Sequence, residues 1–527
     1  MGTSPFSLRE DYWETFELRS QDIEFLYNHL MEVETPLTSR ELLMALLTER
    51  IRQEKLSIEK QRSSGGLVYL PKETYSVGQP VVFPAFNWRR AVVTEVRPGV
   101  NPDLTDFQVI KVTFDEGEVR EFASGMLSHK LNEPPKVSQE DIGLDFDSVV
   151  ETYGERLLER LESDLNKNAD FVRIAGRWFP RALVVDINAG HLNLAEAILD
   201  MAGGGPTSTS ALLEQVGLST DVNTKLVEFS MDLALQEDPR FDEVGPAGEV
   251  LWFLHRLEPE GVLQIPQFLR YQEVEYNPEL LTNEMLTLEQ KLDDELSPTA
   301  GKYPASNEVQ FTLIFPHWRA GTLPLSPRMS HLFPTAYETP RIRFTLVDGE
   351  TGLKFPAWVV RPHRYVLGLR EWFDLKGIIP GSLIRVRKGK NPGEVIVQCD
   401  SQRGVRDWIR SVLVGSDGGL VFAMLKQVVT AAYDDRMTIA VPDAEALEQI
   451  WKQTQKDRTP FERIVVNTVR ELAKLNPQSH VHASELYAAI NVIRRCPPGP
   501  IFALLASRPW FIHVGDLHFR FDDSEKA

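Results

Sequence analysis

Apolar residues recur along this chain with two periods, and the switches between them mark its divisions. In Ser20–Met31, Ile23, Leu26, Tyr27, Leu30 and Met31 fall at helical spacing behind Ser20, a capping residue type. Thr38 with Glu41 three positions on predicts a capping box and a second helix to about Arg62, stopped by Ser63-Ser64-Gly65-Gly66. Residues 1–66 therefore read as a helical hairpin or a reduced helix-turn-helix unit. From Tyr75 to Leu127 the period falls to two, with strands expected at Pro80–Phe83, Arg89–Arg97, Phe107–Asp115 and Val119–Phe122. Short strands this dense suggest a small SH3-like barrel over 67–135. Trp88, Arg89 and Arg90 stand together at a strand start, as a binding loop or a rim cluster.

Helical spacing returns in 136–260. Asp145–Lys167 is a long charged helix and Phe171–Phe179 a strand. Helices follow at Leu194–Ala202, at Ser210–Val216, and from Asp221 to about Leu235, then a strand with Trp252. Three helices followed by a hairpin is the order of a winged helix. The run from Pro239 to Gly245 with Leu251–Leu254 resembles the HARE-type helix-turn-helix of the bacterial RNA polymerase delta subunit. Its third helix carries Asp221, Lys225, Glu228 and Asp232. A groove-reading helix presents Arg, Lys, Asn or Gln, so a packing or protein-contact role is expected here. Residues 261–304 form a linker. Its helix Leu281–Leu296, with Glu284, Glu289, Asp293, Asp294 and Glu295, reads as acidic and solvated.

Strand spacing dominates 305–415, at Val309–Phe315, Thr322–Leu325, Ile342–Val347, Lys354–Val360, Leu383–Arg387 and Val395–Gln398. Asp348-Gly349 and Asn391-Pro392-Gly393 are turn material, and Pro327–Phe333 and Leu369–Leu375 look like short helices. A partly open barrel follows from that pattern. Amphipathic helices are expected at Arg403–Val414 and Leu420–Ala432, with a strand at Met437–Val441; residues 416–458 read as an α/β connector. The segment 459–527 opens with Thr459-Pro460-Phe461-Glu462, a capped helix start, and ends in two strands around Gly515-Asp516, a C-terminal winged helix. The fold class is thus α+β and multidomain, with a central open β-pseudobarrel, an SH3-like small barrel and winged-helix modules.

Charge changes this picture at one place. The chain of 527 residues has net charge −19, yet Val309–Arg410 holds 16 Lys/Arg against 8 Asp/Glu. A basic island in an acidic chain is the footprint of an anionic partner. A solvated basic face over an aromatic core would have the same composition, so the order of residues matters.

That order resembles the plant transcription-factor DNA-binding pseudobarrel, the fold of auxin response factors, found also in effector domains of some restriction endonucleases. The matching residues are Leu323-Pro324-Leu325-Ser326-Pro327 with Met329–Pro334, then Asp348–Gly352 and Phe355-Pro356-Ala357-Trp358. Tyr365–Leu369 and the pair Trp372-Phe373 complete the match. Gly381-Ser382 departs from the family's Gly-Asp pair. The likeness covers about a fifth of the chain, judged by pattern. It implies double-stranded DNA as partner, gripped in the major groove by two arms. The matching positions are His317, Trp318 and Arg319 for one arm, and Arg361, His363 and Arg364 for the other. Pairing of the last arginines with acids such as Glu371 is the competing reading.

Other chemistry is not in view. There is no phosphate-binding glycine loop, no His-Glu-x-x-His, no Cys-x-x-Cys pair and no nucleophile elbow. No catalytic residues, cofactor or metal are expected. Two distant cysteines, no secretory pattern and no apolar run of membrane length predict a cytoplasmic protein without a membrane partner; a bacterial source is the overall expectation. DNA binding in transcription regulation or defence against foreign DNA is the expected function. The alternatives are a protein-interaction scaffold of winged-helix modules and a non-catalytic recognition subunit of a restriction-type system.

Overall fold

A computed structural model describes residues 12–63, 66–83, 86, 89–101, 107–115, 117–132, 145–218, 222–298, 306–391, 393–415, 419–456 and 459–522. Trp88, Asp221 and Pro392 lie outside these. The chain forms two compact units, 1–186 with 220–230, and 187–219 with 231–527.

In the first unit the capping box forms as expected. The Thr38 N–H and hydroxyl donate to the Glu41 carboxylate at 2.7 and 2.8 Å, and Glu41 N–H returns to the Thr38 hydroxyl at 3.3 Å. The helices Ser20–Val33 and Ser39–Ser63 do not stand alone. Leu37–Thr38 pairs with Arg177–Pro180, which pairs in turn with Phe171–Ile174. The expected strand Phe171–Phe179 is thus a hairpin, turned at Ala175 and Gly176 with φ 48° and 74°. Helix Phe146–Asn166, capped by Asp145, completes this module. A buried bidentate pair, Arg50 to Asp22 at 2.6 and 2.5 Å, ties its first two helices together. The boundaries expected at 66 and 136 therefore cut one sheet. What lies between them is an inserted five-stranded sheet, ordered Leu67–Val68, Pro80–Phe83, Arg89–Pro98, Gln108–Phe114 and Val119–Ser124. Its core holds Tyr69, Phe83, Val93, Val112 and Phe114. Arg89 lies over the Phe114 ring at 4.6 Å and pairs with Glu118 at 2.9 Å, which makes it part of the sheet's own packing.

The same order of elements, helix, short strand, two helices, hairpin, occurs twice more. One copy runs through Ala189–Met201, Thr207–Ser208, Thr209–Val216, Thr224–Glu237, Phe241–Glu243 and Leu251–Leu254. The other runs through Phe461–Ala473, Val481–His482, Ala483–Ile493, Pro498–Ser507, Phe511–Gly515 and His518–Phe521. Register is shared: Leu37 opposes Trp178, Thr207 opposes Trp252, and Val481 opposes Phe519. Where the third strand brings an indole, a hydroxyl two residues after the partner receives it. Trp178 Nε1 donates to Ser39 at 2.9 Å, and Trp252 Nε1 to Thr209 at 3.1 Å and Asp232 at 3.0 Å. The last copy has Phe519 with Ala483, apolar against apolar, so no polar group is left orphaned.

The rest of the second unit is built on a curled seven-stranded sheet. Its order is Glu308–Thr312, Leu383–Lys388, Glu394–Cys399, Arg341–Asp348, Lys354–Val360, Tyr365–Leu367, Thr322–Pro324. All neighbours are antiparallel except Arg341–Asp348 with Glu394–Cys399. Alternation along Arg341–Asp348 sends Ile342, Phe344 and Leu346 inward, as the period-two pattern requires. Gly381, at φ 98°, has no room for a side chain, because a Cβ would meet Thr438 at 2.3 Å. Ser382 is buried and accepts from Ile379 N–H at 3.1 Å.

Three expectations fail beyond this sheet. Arg403–Val414 and Leu420–Ala432 are not helices but the two strands of a long ribbon, Ser401–Val414 and Leu420–Ala431. Both are rich in β-branched residues, which fit a pleated surface better than a helix. Met437–Val441 makes only an isolated bridge, Ala440 with Ser411. No helix among the described residues is long and apolar enough to cross a membrane.

Candidate nucleic-acid interface

The two predicted arms differ in fate. His317, Trp318 and Arg319 lie on the short helix Phe315–Ala320, not on a free loop. His317 is 1% exposed, with Nδ1 2.8 Å from the Thr322 hydroxyl and Nε2 3.2 Å from Glu295 Oε1. Trp318 Nε1 donates to Ile378 O at 2.7 Å, and the Arg370 guanidinium covers its ring at 4.8 Å. Arg319 donates to Glu448 at 2.9 Å. Lys452 and Arg319 together hold the Glu448 carboxyl down to about 2.

Arg361, His363 and Arg364 stand on an exposed turn between Lys354–Val360 and Tyr365–Leu367. The arginines do not reach Glu371. Arg361 donates to Thr339 O at 2.8 Å and Arg364 to Glu295 O at 2.9 Å, both backbone carbonyls that leave the charge uncancelled. Arg364 has φ 52°, a left-handed conformation costly for a non-glycine residue. His363 stacks beside Tyr365 with ring centroids 6.3 Å apart, and burial lowers its pKa.

Topology adds residues to this turn. Arg341 opposes Val360, so the turn lies beyond the N-terminal end of Arg341–Asp348. Glu394–Cys399 runs parallel to that strand, with Glu394 opposite Thr345, so its N-terminal end points the same way. Lys388, the last residue of the strand Leu383–Lys388, and Lys390 after it are both exposed. Leu325 N–H donates to Arg364 O at 2.8 Å, which brings the Ser326–Arg328 segment to this end as well. Sequence reasoning counted Lys388, Lys390 and Arg328 in the basic island but gave them no role. The run Arg385-Val386-Arg387-Lys388-Gly389-Lys390 was the available signal. Several other cations on and beside the sheet are neutralised: Lys354 by Glu394, Lys376 by Asp348 and Glu350, Arg341 by Asp242 and Glu258.

An acidic latch takes up His317 of the first arm. Helix Asn283–Leu292 ends at Asp293, and Asp293, Asp294 and Glu295 are buried, not solvated. Arg495, fully buried, donates to Asp294 at 2.8 and 2.6 Å and to Glu295 at 2.7 Å. Tyr487 OH donates to Asp294 at 2.5 Å, and Ser326 to Asp293 at 2.6 Å. Burial alone would raise the Glu295 pKa; the Arg495 charge and the His317 ring overturn that and hold it below the usual carboxylate range. Burial raises Asp293. Among the described residues no group of three or more His, Cys, Asp or Glu is placed to hold a metal ion.

No protein-family model, no curated protein and no solved structure matches this chain.

Proposed function

We propose that the chain binds double-stranded DNA through the basic end of the curled sheet. The residues are Arg361, His363 and Arg364 on one turn, with Lys388 and Lys390 at the end of the strand Leu383–Lys388 and just after it. In this reading the curled sheet is a DNA-binding pseudobarrel, the inserted sheet an SH3-like barrel, and the three repeated modules winged helices. The observation that carries it is the exposed turn Arg361–Arg364, whose guanidiniums are anchored on backbone carbonyls and keep their charge. Arginine's planar fork takes guanine O6 and N7, or a phosphate, bidentately. His317, Trp318 and Arg319 have no part in the contact; they hold the sheet to its neighbours.

The third helices of the repeated modules support a division of labour. Pro498–Ser507 has no charged side chain before its end and is buried, and Phe146–Asn166 and Thr224–Glu237 are acidic overall. They serve as scaffold, with the basic end doing the reading. The test is a titration of labelled duplex against wild type and the Arg361→Ala/Arg364→Ala double variant at two salt concentrations. Weaker binding with a salt slope reduced by about one per lost phosphate contact is expected. Equal affinity in a folded double variant would overturn the reading and favour a purely protein-binding scaffold.

A further inference from the structure

The ribbon Ser401–Val414 with Leu420–Ala431 has one face turned down and one turned out. Downward, Ile409 and Val429 pack with Ala440. Both ends are fastened: Ala432 N–H donates to Asp400 O at 2.8 Å, while Val412 and Phe422 enter the core of the C-terminal module. Outward, Arg406 opposes Val428, Trp408 opposes Lys426, and Arg410 opposes Met424. Trp408 and Val428 are each 58% exposed, far beyond what a buried-core role for these side chains allows. Lys426 Nζ lies 5.2 Å from the Trp408 ring centroid. Arg410 is drawn to Glu485 at 3.0 Å, and Asp407 points to the other face, where it accepts from Tyr433 at 3.1 Å. In a chain of net charge −19, this outward face offers cations and an open indole, and its own strands place no carboxylate on it.

We infer that this ribbon face binds single-stranded nucleic acid, with a base stacked on Trp408 and the flanking phosphates on Arg406 and Lys426. An indole between cations on a fixed, open surface is the arrangement that takes unpaired bases, since every base has a π-face and a charged backbone beside it. A duplex keeps its base faces inside the stack and has nothing to lay on the ring. The ribbon leaves the C-terminal end of Glu394–Cys399, the opposite end of the sheet from Arg361–Arg364. The inference therefore stands apart from duplex binding.

The experiment follows the anisotropy of a labelled oligothymidylate with the full chain at low salt, for wild type, Trp408→Ala, Trp408→Phe and Lys426→Glu. Trp408→Ala should weaken binding by about tenfold or more, the scale of one lost base stack. Trp408→Phe should keep most of the affinity, and Lys426→Glu should lower both affinity and salt dependence. Trp408→Ala should leave duplex binding at wild-type strength, and Arg361→Ala/Arg364→Ala should leave oligothymidylate binding unchanged, so the two readings fail separately. No oligothymidylate binding by wild type would overturn the inference. So would equal affinity in a folded Trp408→Ala variant. Displacement by polyglutamate as effective as by unlabelled oligothymidylate would assign the face to acidic protein instead.

Discussion

Two short basic, aromatic segments of the same sheet, His317–Arg319 and Arg361–Arg364, have similar composition and opposite circumstances. Each side chain of the first meets a group from elsewhere in the chain: His317 meets Glu295, Trp318 meets Ile378, and Arg319 meets Glu448. The arginines of the second meet only backbone carbonyls, and their residues stay exposed. Composition sets what a segment could bind. Whether a charge is still available is decided by distant residues that arrive on folding. The carboxylates spent on the first segment come from a linker and a helix that share no local pattern with it.

The largest effect should come from breaking the latch that occupies the first segment. Arg495→Ala strands Asp294 and Glu295 in the interior, and loss of one partner of a buried ionic group costs about 3–5 kcal/mol. Urea unfolding should show a correspondingly lower midpoint, and an unchanged midpoint would mean that water already reaches these carboxylates. Next in size is the Arg361→Ala/Arg364→Ala variant, which should lose about 1–3 kcal/mol of duplex affinity for each arginine that reads a base. Its thermal stability should stay close to wild type, because exposed side chains are being removed. Arg319→Ala should reverse that pattern: up to about 1 kcal/mol of stability lost with the Glu448 pair, and duplex affinity untouched. A duplex defect in Arg319→Ala would erase the contrast between the segments.

The smallest effect is a pH dependence at His363. Burial lowers its folded pKa below 6.5, so as pH falls the unfolded chain takes up the proton first. The ring's contribution to stability is present above that value and is lost as pH falls through the folded pKa. Protonation also adds a cation to the turn, so duplex affinity should rise with acidification over the same range. His363→Gln should flatten that rise, and an identical profile in both proteins would remove His363 from the interface.

Strands such as Arg341–Asp348 in the curled sheet were legible because they bury one face, as Ile342, Phe344 and Leu346 show. The ribbon was misread because Val405, Ile409 and Val412 satisfy helical spacing as well as a strand's sequence does. Local periodicity cannot separate the two when both faces carry apolar residues. The latch was misread for a different reason. An acidic run after an amphipathic helix looks solvated, and Arg495 lies 201 positions from Asp294. For the proposed interface, order and charge in the sequence pointed to Arg361 and Arg364, and the structure leaves their turn exposed. Lys388 and Lys390 needed the parallel pairing of Glu394–Cys399 with Arg341–Asp348, which no local pattern announces. The first module was missed because its sheet closes across an insertion.

That insertion has a consequence for how the chain is made. Ser39 and Trp178, joined by a hydrogen bond in the finished module, are 139 positions apart. At about 5–20 residues per second, the ribosome needs roughly 7–28 s to deliver the second after the first. In the later part of that interval the first two helices stand complete with Leu42, Leu46 and Leu47 uncovered, residues that end up buried. The inserted sheet pairs only neighbours in sequence, from Leu67–Val68 to Val119–Ser124, and is complete before the closing hairpin emerges. The two helices that open this module are thus among its last parts to be finished, and they are where a nascent chain would need the attention of a chaperone.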